Sequence, residues 1–307
     1  MTELTAAYAR LPANAKGAVW MLASALSFTA MTMLIKFLGA NYEPALQAFY
    51  RQAAGLLVLA PLIIRDPVNS FRTTRPGILI FRSSAGVLGM ILSFYAYQEM
   101  PLADANALSF TRTLWLVPLA AFVLGEKVGP VRVAATVVGF LGALVMIRPT
   151  GANTLSLPAL AALGSAFLFS MTVTGMKLMT RDHSSTVLVC WSAALGLVFT
   201  LPPALFVWRW PNPGDLVLLA LMGVLGTVTQ WCYIKGMALG DAASMAPIDY
   251  SRLIFAVIAG FFLFHELPDR LTILGASIII ISTLYITFRE ARENAALVKE
   301  EGLGERS

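Results

Sequence analysis

The sequence predicts an all-α polytopic membrane protein, with ten transmembrane helices in two inverted five-helix repeats. Three observations lead there. Of the 307 residues, 58% are hydrophobic and only 13% are charged, and the mean hydropathy is +0.74. A soluble chain carries roughly a quarter charged residues. The apolar runs are continuous and about twenty residues long, the length of helix that crosses a bilayer, whereas barrel strands would alternate over about ten. The second half of the chain also repeats the first.

The spans fall in order at 17–38, 45–64, 77–97, 102–124, 131–147, 157–179, 186–208, 216–237, 243–264 and 271–288. Pro44, Pro76, Pro101, Pro130, Pro213 and Pro268 stand at or just before helix starts, where a missing N–H costs little. The first apolar run has full length and lacks a small-residue cleavage pattern, so it is expected to stay as the first helix. Residues 1–150 form the first unit, 151–290 the second, and 291–307 a charged cytoplasmic tail.

The repeat is carried by three pairs of segments. FYAYQEMPLADANAL near Phe94 answers WCYIKGMALGDAASM near Trp231. SFTRTLWLVPLAAFVLGEKV (Ser109–Val128) answers DYSRLIFAVIAGFFLFHEL (Asp249–Leu267), which sets Arg112 on Arg252 and Glu126 on Glu266. SFTAMTMLIKFL (Ser27–Leu38) answers LFSMTVTGMKLM (Leu168–Met179), which sets Lys36 on Lys177. A unit with an odd number of crossings puts its second copy into the membrane upside down. Inverted repeats of this kind are the architecture of secondary transporters, with substrate held near the midplane between the halves.

Charge sets the expected orientation. Fourteen of the 22 lysines and arginines fall on the side that holds the N-terminus, four on the other side, and four (Arg51, Arg82, Arg112 and Arg252) inside spans. Positive loops stay in the cytoplasm, so both termini are expected there. The net charge of +5 then borders the membrane and needs no nucleic acid. The loops are short and no GxxxxGK[ST] sequence is present, which excludes a nucleotide-driven pump within this chain. Cys190 and Cys232 lie inside spans and read as packing residues, with no metal or disulfide framework. No cofactor is expected. The expected partners are a small-molecule substrate and the lipid bilayer, and the expected state is a monomer.

Charges within a membrane cost about 2.5–3.5 kcal/mol each at a helix centre, so they face the bundle interior or a wet cavity. Arg112 and Arg252 each stand about ten residues into spans four and nine. Each either grips an anionic group of the substrate through its planar fork or pins neighbouring carbonyls and a fixed ion pair. Asp249 precedes Arg252 by three residues, so the two share a helix face and can pair. Asp249 could equally read a substrate ammonium or carry a coupling proton. Polar residues run with these charges at helical spacing: Asn106, Ser109 and Thr113 on span four, Gln230 and Tyr233 on span eight, Tyr97 on span three. Trp231 and Tyr250 lie beside those stripes and offer flat rings for stacking. These residues are the expected cavity lining, with tight helix packing as the bland alternative. Trp20, Trp208 and Trp210 read as interface anchors.

Lys36 and Lys177 close matched segments at opposite faces and are expected to snorkel. Glu126 and Glu266 end spans four and nine and read as caps or loop ion pairs. Pro118 and Pro247 lie inside spans four and nine at unmatched places. Proline breaks helices, so the two mark an expected cytoplasmic gate.

The paired blocks that begin SFTRTLW and DYSRLIF resemble the EamA repeat of the drug/metabolite transporter superfamily, from about Gly17 to Phe288. The resemblance implies a bacterial inner-membrane transporter of small metabolites. Within that group the chain is most similar to the aromatic amino-acid exporters. His265 departs from the pattern, standing where a glycine usually precedes the glutamate. The expected activity is export of aromatic and other neutral amino acids by alternating access. The alternative is transport of another small metabolite, such as S-adenosylmethionine, a vitamin or a nucleotide derivative. The only histidines are His183 and His265, and no HExxH or GxSxG is present, so a membrane-embedded enzyme is not expected.

Overall fold

The computed structural model describes residues 12–67, 71–123, 125, 128–148, 156–179, 185–240 and 242–304, without the side chains of 62, 176–178, 185, 186, 189, 242–244, 246 and 290–304. Glu126 and the Lys177 side chain lie outside the described residues. Every regular element among the described residues is helical. In chain order these are α1 (Ala13–Gly39), α2 (Pro44–Arg65), α3 (Pro76–Glu99), α4 (Leu102–Ser109), α5 (Thr111–Phe122), α6 (Pro130–Ile147), α7 (Leu157–Met179), α8 (Ser185–Phe206), α9 (Pro213–Leu239), α10 (Ala242–Asp249), α11 (Ser251–Phe264) and α12 (Arg270–Gly304). α12 continues as one helix through the charged stretch that follows Phe288.

Among the described residues seven stretches are long and apolar enough to cross a membrane, and a further apolar stretch, Cys190–Phe206, lies in α8. Three segments read as spans in the sequence, 45–64, 102–124 and 186–208, are not among those seven; the first and third are continuous helices, α2 and α8. The fourth apolar run is divided at Phe110 into α4 and α5.

The helices pack as antiparallel neighbours. α1 lies along α9, where Ser24 Oγ donates to the Thr229 carbonyl at 2.9 Å and Ser27 Oγ to the Leu225 carbonyl at 3.0 Å. α3 lies along α7, α6 along α12, and α2 along α8. Small residues let the backbones approach, as they must where lipid supplies no hydrophobic drive between helices. A Cβ on Gly142 would stand 2.9 Å from the Gly275 carbonyl oxygen, and one on Gly275 would stand 2.5 Å from the Gly142 carbonyl oxygen. That crossing therefore tolerates no side chain on either helix. The buried core runs through Ile35, Leu38, Leu46, Leu102, Leu219 and Met222, all at most 1% exposed. The outside is apolar: Val217, Leu221, Val224, Val228 and Trp231 form an exposed stripe along α9.

Two spans are interrupted at matched places, Phe110 between α4 and α5 and Tyr250 between α10 and α11. Both keep right-handed helical angles, φ −69° and −71°. The regular ladder lapses there into tighter i→i−3 bonds, Phe110 N–H to Ala107 and Leu253 N–H to Tyr250. Around Phe110 the side chains satisfy the carbonyls. Asn106 Nδ2 donates to Leu102 O (2.8 Å), Ser109 Oγ to Asn106 O (2.7 Å) and Thr111 Oγ to Leu108 O (2.6 Å). Such local bonds compete with helix continuity. At the other break Pro247, inside α10, withholds an N–H. Pro118 was expected to break its span and does not: α5 runs through it to Phe122, and the interruption falls eight residues earlier.

Candidate functional site: a cavity beside two interrupted helices

The two interruptions meet. Phe110 and Tyr250 stack with ring centroids 4.3 Å apart. Beside them a cavity of about 140 Å³ is lined by Met21, Phe110, Arg112, Thr113, Tyr233, Met237, Asp249, Tyr250 and Thr287. It lies toward the end of the bundle opposite Lys36, because Met21 sits early on α1 and Met237 late on α9.

Five residues singled out in the sequence line this space: Arg112, Thr113, Asp249, Tyr233 and Tyr250. Arg112 follows the break by two residues and has no ion-pair partner among the described residues. Arg252 does have one: its Nη2 donates to Asp249 Oδ2 at 3.1 Å. Its guanidinium also lies over two rings, 4.4 Å from the Phe110 centroid and 5.2 Å from Phe28. Paired and stacked in this way, Arg252 holds Asp249 at the cavity wall. The Tyr250 hydroxyl hydrogen-bonds the Thr283 hydroxyl, which fixes the ring against α12.

The other expected lining residues are placed differently. Asn106 is fully buried, with Oδ1 lacking a partner, and Ser109 is turned back onto its own helix. Tyr97 is buried edge-on to Phe28, centroids 6.2 Å apart. Gln230 is exposed and shares a face of α9 with Tyr233 and Met237. Trp231 does not line the cavity. It is 56% exposed on the outer stripe of α9 and packs edge-on to Trp20 at 5.1 Å, with Lys235 Nζ over both rings. Residue type had suggested a stacking ring, but the helical face decides otherwise. Phe110, Met21, Met237 and Thr287 were not singled out. Phe110 carried one usable signal: the repeat sets it on Tyr250.

The opposite end of the bundle is tied shut. Lys36 does not snorkel. Its Nζ ion-pairs with Glu266, donates to the Met100 carbonyl at 2.9 Å and lies 5.3 Å from the Phe264 centroid. Glu266 Oε2 also accepts the Leu102 N–H at 3.1 Å, satisfying a donor orphaned at the start of α4. One carboxylate thus joins α1, α4 and the end of α11. At the same end Asp104 lines a second cavity of about 160 Å³, with its Oδ1 buried and unpartnered.

Comparison with known proteins fits this arrangement. The sequence model of the EamA-like transporter family matches residues 15–148 and, a second time, residues 156–288. The chain belongs to that family. It is therefore a membrane transporter, as its EamA-like relatives are named. An S-adenosylmethionine uptake transporter of Rickettsia conorii is 32% identical over 276 residues, covering 90% of this chain and 94% of that protein. A riboflavin transporter of Vibrio cholerae is 30% identical over 285 residues, 91% of this chain and 95% of the other. A pseudopaline exporter of Pseudomonas aeruginosa is 26% identical over 280 residues, 88% and 95% of the two. None of these EamA-like relatives is named as an amino-acid exporter. A solved crystal structure shares the fold with TM-score 0.57 at 18% identity, covering 88% of this chain and 98% of that one.

Proposed function

We propose that this EamA-like protein is a secondary transporter of a small metabolite that joins a flat ring to charged groups, with S-adenosylmethionine as the first candidate. The observation that carries the reading is the cavity whose lining brings together Asp249, Tyr233, Tyr250 and Arg112, which has no ion-pair partner among the described residues. Arg112 suits a carboxylate, Asp249 an ammonium or sulfonium, and the tyrosines an adenine face. The named substrates of the 30–32% identical relatives support this chemistry over a plain amino acid.

The two matched halves act as inverted five-helix repeats, 1–150 and 151–290, giving ten spans. The doubled family match and the exchange of partners between halves support this: α1 with α9 answers α7 with α3. The chain sits in a bacterial inner membrane with both termini cytoplasmic, as the lysine and arginine bias suggests. The cavity then opens toward the cytoplasm while the Lys36–Glu266 tie closes the far side, one arm of an alternating-access cycle. Direction of net flux follows the substrate and coupling gradients.

Counterflow into proteoliposomes tests the reading. Labelled S-adenosylmethionine should accumulate against an internal pool of the same compound, and Arg112→Ala should cut the rate about tenfold or more. Counterflow of phenylalanine without that of S-adenosylmethionine or riboflavin would return the chain to amino-acid transport.

A further inference from the structure

Arg51 stands apart from the cavity lining. It lies on α2, seven residues after Pro44, and its guanidinium is wedged among three other helices. Met31 of α1, Met90 of α3 and Gly226 of α9 surround it. Nη1 donates to the Gln52 side-chain oxygen at 3.0 Å and meets the Met90 sulfur at 3.3 Å. Nε is buried with no partner. No carboxylate is within ion-pair reach among the described residues.

α9 is shaped around this group. A Cβ on Gly226 would stand 2.9 Å from Arg51 Nε and 3.1 Å from Nη2. The sequence GVLG occurs twice, at 86–89 and 223–226. In the first copy Gly89 faces Leu168 and the Ser165 carbonyl, which is ordinary helix packing. In the second copy the bare backbone makes room for a cation.

A guanidinium does not shed its proton in a protein. Burying it without a counter-charge costs several kcal/mol. One amide oxygen and a thioether repay only part of that. We infer that Arg51 is an anion-binding residue of the transport path and takes a carboxylate or phosphate group of the substrate. By helix rise it lies some 10 Å from the Lys36 end, against some 15 Å for Arg112. An anionic group that enters at Arg112 meets Arg51 next on its way through. This rests on the transport reading above and adds an anionic group as a requirement on the substrate.

Thermal unfolding of the purified full-length protein tests it without a known substrate. Chloride is replaced stepwise, at constant ionic strength, by acetate in one series and by inorganic phosphate in another. The melting temperature of the wild type should rise saturably in at least one series. The series with the lower half-saturation names the anion class. Arg51→Gln should raise that half-saturation about tenfold or more. Gly226→Ala, which keeps the charge but crowds the guanidinium, should raise it as well. Should Arg51→Gln not fold, Arg51→Lys and Gly226→Ala carry the comparison. No saturable rise in the wild type, or unchanged half-saturation in these variants, would overturn the inference. Loss confined to Arg112→Gln would also overturn it, while leaving the cavity reading intact. Counterflow of S-adenosylmethionine in the wild type judges the transport reading separately.

Discussion

Phe110 and Tyr250 stack at 4.3 Å, and they occupy one position in the two matched halves of the chain. Each also marks the interruption of its own span. The contact therefore couples two breaks that the repeat relates, and Arg252 lies against the same Phe110 ring. Phe110 is 4% exposed, so truncating it leaves a hole. Phe110→Ala should cost about 3 kcal/mol in unfolding. A double-mutant cycle with Tyr250→Ala should return a coupling of about 0.5–1.5 kcal/mol, the range for an aromatic pair. A coupling near zero would reduce the stack to coincidental packing.

The tie between Lys36 and Glu266 should hold one end of the bundle closed. Their side chains are 12% and 21% exposed, and Glu266 also caps α4. Lys36→Met leaves that carboxylate without its cation and should cost about 1–3 kcal/mol. It should also make a cysteine at position 264 react faster with an impermeant maleimide. Background should be low, because Cys190 and Cys232 are buried. The double exchange Lys36→Glu with Glu266→Lys should restore slow labelling. Equal labelling in all three proteins would mean that the ion pair gates nothing.

Much of this was legible in the sequence, and the misses have physical causes. Helical spacing placed Arg112, Asp249, Tyr233 and Tyr250 around one space because charge in a membrane must face inward. The i,i+3 spacing also anticipated the Asp249–Arg252 pair. Spacing alone does not say which neighbour a face meets. Trp231 lies one residue from Gln230, yet a 100° turn puts it on the outer stripe of α9. Pro118 looked like a breaker, but it forfeits only its own bond to the Leu114 carbonyl, and α5 runs on through it to Phe122. The break at Phe110 has no proline; Asn106, Ser109 and Thr111 bond carbonyls there, but Ser165, Ser170 and Thr174 do the same in the unbroken α7, so the pattern does not mark a break. Lys36 and Glu266 lie 230 positions apart, and only the folded chain brings them together.

His265 explains why the family pattern prefers glycine at its place. It has φ 55°, and its counterpart Gly125 in the first half has φ 68°. Both are left-handed, and at His265 the turn lets the Glu266 N–H reach the Gly260 carbonyl at 2.9 Å. That conformation costs a residue with a Cβ about 1 kcal/mol. The His265 side chain is exposed, so little contact is lost on removal. His265→Gly should stabilise the protein by about 0.5–1 kcal/mol in unfolding measurements, with transport unchanged. Gly125→Ala should destabilise it by a similar amount. A destabilised His265→Gly would mean that the imidazole makes a contact worth more than the strain.

Acid should probe the loop between α11 and α12. Asp269 bonds Arg148, at the end of α6, and accepts the Thr272 N–H at 2.8 Å. The Arg148 guanidinium, chiefly through that bond, draws the Asp269 carboxyl down to about 2. A depressed carboxylate contributes stability that is fully present above its unfolded value of about 3.9 and is lost as pH falls through the folded value. The loss therefore falls between about pH 4 and pH 2. Both side chains are largely exposed, at 40% and 52%, so screening limits the contribution to a few tenths of a kcal/mol. Thermal unfolding across that window should show a steeper decline for the wild type than for Asp269→Asn, with the two curves converging at the acid end. Parallel curves would remove Asp269 from the acid response and leave other carboxylates to account for it.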